Sequence, residues 1–210
     1  VAERDLAGGL MLTASHNPPE YNGVKFIPDG SPATAAVTDA IAARLRTPDP
    51  LPESEWGTVS ETDLVGPFFD YALDALDVDL SGHRVVYDAM HGSGRKITSE
   101  LLRRAGATVT GRRERTDPEF GGTPPEPAGE HLTALAEMVE TSDIDIGIAN
   151  DGDADRLGVV TPARGVVDPN WLFAALYDYL LETEAGDAVR TVSTTFLIDR
   201  IAEAHGQTVH

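Results

Sequence analysis

Seven consecutive residues, Asn150-Asp151-Gly152-Asp153-Ala154-Asp155-Arg156, carry three carboxylates at alternating positions. Two unit charges about 4 Å apart repel by roughly 4 kcal/mol at the effective dielectric of a protein surface, so such a cluster shares one folded loop only with a cation to hold it. Ligands that are all oxygen select a hard ion, Mg²⁺ or Ca²⁺, over zinc. A second candidate lies near the start, where Gly8 to Ala14 empties into Ser15-His16-Asn17-Pro18-Pro19-Glu20-Tyr21-Asn22-Gly23-Val24-Lys25. Together the two segments form a kit for phosphoryl transfer. Ser15 offers an oxygen that can carry phosphate, the aspartates a metal site to neutralise it, and Lys25 and Arg156 cations for phosphate oxygens.

Other readings compete at each segment. An EF-hand calcium loop needs Gly at its sixth position and Glu at its twelfth, and Arg156 and Pro162 stand there, so it is excluded. A haloacid-type phosphatase also runs a hydrophobic strand into Asp-x-Asp, but with Thr or Val where this chain has Asp155, which weakens that reading. A solvated acidic turn on an acidic protein is the plain alternative. At the other segment, a Ser-His pair at a strand end is by itself more often a turn than a catalyst. Ser15, flanked by Ala14 and His16, is also not the serine of a Gly-x-Ser-x-Gly hydrolase elbow, so acyl transfer is not expected.

Both polar segments need strands to deliver them. Asp145-Ile146-Gly147-Ile148-Ala149 reads as a buried strand ahead of the acidic loop, and Leu157-Gly158-Val159-Val160 as the next one. The loop then sits at a strand's carboxyl end, where open α/β sheets place ligands. A possible strand at Val24–Ile27 is followed by a helix from Ser31-Pro32, with Ser capping, Pro at the first helical position, and Val37, Ile41 and Leu45 on one stripe. Pro48, Pro50 and Pro52 among acidic residues mark a linker over 47–60. Beyond it, helix and strand alternate. A stripe through Leu64, Phe68, Ala72 and Leu76 leads to a strand at Arg84–Tyr87, a helix at Ile97–Arg104 and a strand at Ala107–Val109. A helix through Leu132, Leu135 and Val139 then leads to the acidic loop. This alternation predicts an α/β layered sandwich. Phe68, Phe69 and Tyr71 read as core, and His91-Gly92-Ser93-Gly94-Arg95-Lys96 as a tight strand-to-helix turn rather than a nucleotide site. His83, His131, His205 and His210 have no metal-ligand spacing and read as surface or packing residues.

Composition narrows the partners. Thirty-five acidic against sixteen basic residues give a formal net charge of −19, which argues against nucleic acid and anionic membrane. No run of eighteen apolar residues marks a membrane span, and the absence of cysteine fits a reducing compartment, so the chain reads as cytoplasmic. Lys25 and Lys96 are its only lysines. That bias fits either a salt-rich cytoplasm or a GC-rich genome's use of Arg, and a melting series in KCl separates the two.

Four motifs in order then resemble the α-D-phosphohexomutase superfamily of phosphoglucomutases and phosphomannomutases. They are Thr13-Ala14-Ser15-His16-Asn17-Pro18 with Tyr21-Asn22-Gly23-Val24-Lys25; Tyr87-Asp88-Ala89-Met90-His91-Gly92-Ser93-Gly94; Asp117-Pro118-Glu119-Phe120 leading to Pro124-Pro125-Glu126-Pro127; and Asp151 to Arg156. The resemblance implies three-layer α/β/α sandwich domains with mixed sheets in a multi-domain architecture. Residues 1–60 would be the end of domain 1 plus linker, 61–188 domain 2 and 189–210 the start of domain 3. It implies an isomerase in which phosphorylated Ser15 exchanges phosphate with a hexose phosphate, glucose or mannose, through a hexose 1,6-bisphosphate. Asp151, Asp153 and Asp155, with an oxygen at Ser15, would hold Mg²⁺; Arg156 would contact the transferring phosphate; Lys25 would assist proton transfer or stabilise charge; His16 would shape the loop or hydrogen-bond near the serine. A non-catalytic metal-binding module and a metal-dependent phosphatase remain as alternatives. The family's opening strand, sugar-reading loop and fourth domain find no counterpart, so the chain is expected to be a fragment without full turnover of its own. The preferred sugar and the oligomeric state stay open.

Overall fold

The computed structural model describes residues 1, 4–45, 49 and 51–210. The expected linker prolines Pro48 and Pro50 lie outside the described residues. At the front, strand β1 (Gly9–Leu12) pairs antiparallel with β2 (Val24–Ile27), with Leu12 opposite Val24, and the Ser15 loop spans the gap between them. Helix α1 (Ala35–Ala42) starts later than the Ser31-Pro32 signal indicates. The Ala33 amide is drawn onto the Phe26 carbonyl at 3.0 Å, which keeps this stretch against β2, and Thr34 takes the extended cap position with φ −69° and ψ 163°. Leu45 therefore falls beyond the helix rather than on its stripe.

The larger body is a five-stranded mixed sheet in the order β4-β3-β5-β6-β7, built from β3 (Arg84–Asp88), β4 (Thr108–Arg112), β5 (Ile146–Asn150), β6 (Leu157–Thr161) and β7 (Gly165–Val166). β3 runs parallel to both β4 and β5, whereas β6 and β7 add antiparallel. Strand β3 is buried from Val85 to Asp88 because it has a strand on each side and a helical layer on each face. The alternation of its side chains decides which layer each one meets. Val86 joins Ala149 and Val160 against Leu135 and Val139 of helix α4 (Thr133–Thr141), with Leu132 just before it. Tyr87 turns the other way, toward helix α3 (Thr98–Arg104).

Helix α2 (Val65–Leu76) lies on the α3 side, where the Arg104 guanidinium stacks 4.5 Å from the Phe69 ring centroid. Its buried residue is Phe69, while Leu64, Phe68 and Leu76 of the expected stripe are exposed and Tyr71 is too. Steps of four residues drift about 40° each around a helix of 3.6 residues per turn, so that stripe spirals off the face that Phe69 defines. Helix α5 (Pro169–Leu181) opens with Asp168 accepting the Asn170 and Trp171 amides at 2.9 and 3.2 Å and Pro169 at the first position. It packs on helix α6 (Leu197–His205) around Ala174, Tyr177, Ile198 and Ala202, and Val209 forms a parallel bridge with Ala188. Among the described residues no helix is long and apolar enough to cross a membrane.

Candidate active site

Both chemical segments are loops at the ends of strands, and the fold brings them together. β1 is followed at once by Thr13, whose amide donates to the Gly23 carbonyl at 3.0 Å, so the loop begins and closes at its neck. Inside it the Ser15 amide donates to Thr13 Oγ1 at 2.9 Å, and Ser15 sits at φ +55°. A non-glycine residue in that region costs on the order of 1 kcal/mol, a strain of the kind that gathers where a side chain must be aimed.

From the sheet, β5 delivers Asp151 to a position with no solvent exposure. Asp151 Oδ1 accepts the Asp155 and Arg156 amides at 2.9 and 3.0 Å, folding the loop back on itself and leaving Oδ2 to face Ser15. The oxygens of Asp151, Asp153 and Asp155 lie within 4.8 Å of one another. Ser15 Oγ approaches Asp151 Oδ2 at 3.2 Å and Asp153 Oδ1 at 3.3 Å, and His16 Nδ1 is 3.3 Å from the same oxygen. Lys25 Nζ stands 3.3 Å from Asp153 and 3.6 Å from Asp155. Arg156 Nε is 3.9 Å from Asp151, and its Nη1 pairs with Glu126 at 3.3 Å.

The electrostatics record a crowded site. Burial, then the neighbouring carboxylates, push the Asp151 carboxyl up, against the opposing hydrogen bond from the Arg156 amide. At Asp153 burial also pushes upward, but hydrogen bonds from Thr13 and Lys25 outweigh it, and the net shift is downward. The hydrogen bond and charge of Asp153 raise Lys25, which stays protonated through neutral pH. Three carboxylates thus face two side-chain cations, and one of them is held in a state burial disfavours. Oxygens about 2.1 Å from a central Mg²⁺ stand roughly 3 to 4 Å from each other, so this donor set fits a hard divalent ion after a small contraction. Among the described residues it is the one group of three acidic or histidine side chains whose donor atoms converge in this way.

Two glycines allow the approach. A Cβ on Gly152 would collide with the Ser15 carbonyl oxygen and meet Pro125 Cγ at 3.2 Å. On the other side of the loop, a Cβ on Gly92 would meet the Asp151 and Gly152 carbonyl oxygens at 2.6 and 2.8 Å, and the Ser93 amide donates to the Gly152 carbonyl at 2.9 Å. The His91–Lys96 turn therefore braces the acidic loop rather than cradling a nucleotide.

All seven residues singled out in the sequence, Ser15, His16, Lys25, Asp151, Asp153, Asp155 and Arg156, come together in this one cluster. Two others join them that sequence reasoning gave no role. Thr13 Oγ1 donates to Asp153 at 3.0 Å while accepting the Ser15 amide, so one hydroxyl ties the serine loop to the acidic loop. Glu126 is the counter-ion of Arg156. The segments that contain them were visible, but a pairing across 140 residues has no local signal.

Known proteins resemble this chain in sequence and fold. Residues 1–51 match the model of the phosphoglucomutase/phosphomannomutase alpha/beta/alpha domain I, and residues 67–165 that of alpha/beta/alpha domain II. The chain belongs to the phosphoglucomutase/phosphomannomutase family. It is 32% identical over 209 residues to a phosphoglucomutase/phosphomannomutase of Thermococcus kodakarensis, covering 96% of this chain and 46% of that protein. A phosphopentomutase of the same organism is 34% identical over 206 residues, covering 94% and 45%. A solved Thermus thermophilus protein assigned as a phosphomannomutase superposes with a TM-score of 0.85 at 33% identity, covering 99% of this chain and 49% of that one. The chain spans about half the length of the relatives it matches.

Proposed function

We propose that the full-length protein is a phosphosugar mutase interconverting sugar 1-phosphate and 6-phosphate, with a hexose as substrate, and that these 210 residues carry its nucleophile and metal site. The observation that carries this reading is the Ser15 hydroxyl lying 3.2 and 3.3 Å from two carboxylates of a three-aspartate cluster. A neutral nucleophile gains nothing from that much negative charge unless a cation is to sit among these oxygens.

In the proposed reaction the bond between phosphorus and Ser15 Oγ breaks as one forms to the oxygen of the free sugar hydroxyl; that hydroxyl gives up its proton and the serine oxygen takes one, so the proton count is unchanged. The sugar bisphosphate turns and the same exchange runs backward from its other phosphate, so phosphoserine is restored and no phosphate is released. Asp151, Asp153 and Asp155, with an oxygen at Ser15, are the residues that would hold Mg²⁺, which when bound neutralises charge on the transferring group. Lys25, kept protonated by Asp153, supplies positive charge and a proton beside the leaving serine oxygen. His16 Nδ1, 3.3 Å from that oxygen, orients the hydroxyl. Arg156 turns from Glu126 to the phosphate, for which its planar fork is suited. We assign residues 1–60 to the first domain and linker, 61–188 to the second and 189–210 to the third, with a cytoplasmic location and no nucleic-acid partner.

The full-length protein, incubated with a sugar 1,6-bisphosphate, is expected to gain one phosphate in its intact mass and to convert glucose or mannose 1-phosphate to the 6-phosphate. Ser15→Ala should abolish both. Ribose 1-phosphate tests the pentose preference that one relative's name raises. Full turnover by Ser15→Ala, or stoichiometric release of inorganic phosphate by the native protein, refutes the mutase reading.

A further inference from the structure

Behind the acidic loop, on the sheet face that meets α3, three polar side chains bond to one another. Asn150, the last residue of β5, is buried, and its Oδ1 accepts the Tyr87 hydroxyl at 3.0 Å and Thr98 Oγ1 at 3.3 Å. Its Nδ2 donates to the Arg156 carbonyl at 2.7 Å. That last bond runs from the residue just before Asp151 to the residue just after Asp155, so one side chain closes the loop holding all three carboxylates. It also fixes the amide's orientation, since turning it over would set Oδ1 against the Arg156 carbonyl, acceptor against acceptor.

Tyr87 has no solvent exposure, and burial pushes its phenol up to about 12, so the hydroxyl remains a donor. A Cβ on Gly94 would collide with that hydroxyl, so the turn before α3 is shaped around it. Packing alone does not call for this set. Replacing both partners of a buried hydrogen bond by apolar groups of the same shape is nearly neutral. What the polar set does that an apolar one cannot is hold the Arg156 carbonyl, and through it the direction of Asp155 and of the Arg156 side chain.

We propose that Asn150, held by Tyr87 and Thr98, is a positioning residue that keeps the acidic loop in its metal-binding shape. The inference rests on the reading of Asp151, Asp153 and Asp155 as a divalent metal site. The test uses the full-length protein with Mn²⁺ as the probe, free ion being counted by electron paramagnetic resonance. Unfolding by urea without metal is followed in parallel.

Asn150→Ala and Asn150→Asp should each weaken Mn²⁺ binding by about 10- to 100-fold, the range that partners of metal ligands command. Tyr87→Phe, a gentle change, should weaken it several-fold, and combining it with Asn150→Ala should add little, because both act through one amide. Ile148→Val on the same strand should shift the urea midpoint while leaving affinity unchanged. Affinity of Asn150→Ala and Tyr87→Phe within twofold of native, or losses that merely track the fraction unfolded, overturns the positioning role alone. If the native chain takes up no Mn²⁺, the metal reading fails and the proposal falls with it.

Discussion

Gly152→Ala is a single methyl placed where the serine loop touches the acidic loop. Its Cβ would stand inside contact distance of the Ser15 carbonyl oxygen and 3.2 Å from Pro125 Cγ. The obstacle is backbone rather than the tip of a flexible side chain, so the serine loop must retreat by roughly 1 Å to restore ordinary carbon-to-oxygen separation. Two effects follow, of different size. Overpacking of this kind costs about 1 to 3 kcal/mol of stability. The retreat also carries Ser15 Oγ away from Asp151 and Asp153, now 3.2 and 3.3 Å distant, and metal ligands tolerate only about 0.2 Å of misplacement. Loss of that oxygen should weaken Mn²⁺ binding about tenfold or more, and phosphorylation of Ser15 in the full-length protein should fall with it. Mn²⁺ titration and thermal melting of the same variant separate the two effects. Gly152→Ala with native affinity and native melting temperature would show that the two loops do not meet as described.

Other consequences are as specific. Lys25→Met removes the cation nearest Asp153 and Asp155, so Mn²⁺ affinity should rise by up to about fivefold, the worth of a weak exposed pair, while turnover of the full-length enzyme drops; equal or weaker affinity on titration counts against lysine and metal competing for one site. Asp88→Asn strips a buried carboxylate from Arg112 and Arg113, which reach it at 2.5 and 2.7 Å, and should cost about 3 kcal/mol in urea unfolding because guanidiniums are left without their partner. Hydrogen bonds and charge from Arg190 lower Asp199. Its contribution to stability is therefore present above the ordinary carboxylate range and lost as pH falls through the lowered folded value, so Asp199→Asn should lower the melting temperature at pH 7, by an amount that shrinks as the pH is taken down through the carboxylate range.

The site was more legible than the frame that holds it. Asp151, Asp153 and Asp155 announce themselves because clustered like charge is costly and needs a reason, and Ser15 because a strand empties straight into it. Strands β3, β5 and β6 were legible from unbroken apolar runs, and α4 because Leu132, Leu135 and Val139 keep helical spacing on one buried face. The failures share a cause in tertiary contact overriding local preference. Ser31-Pro32 is a sound helix start, but hydrogen bonding of Ala33 to Phe26 claims that stretch first. The residues of α2 supported several apolar stripes, and only the position of Arg104 and the sheet selects Phe69. Thr13 and Glu126 look like ordinary polar residues until distant segments arrive beside them.

Among the described hydrogen bonds and ion pairs, those linking the β1–β2 hairpin to the five-stranded body run through Thr13, Ser15 and Lys25 to Asp151, Asp153 and Asp155, with Arg4 reaching Thr62 and Asp63 farther out. The residues of the candidate site are thus also those that tie the hairpin to the sheet. If the proposed ion binds among these oxygens, its uptake and the joining of the two segments are coupled, and linkage requires that coupling to be the same seen from either side.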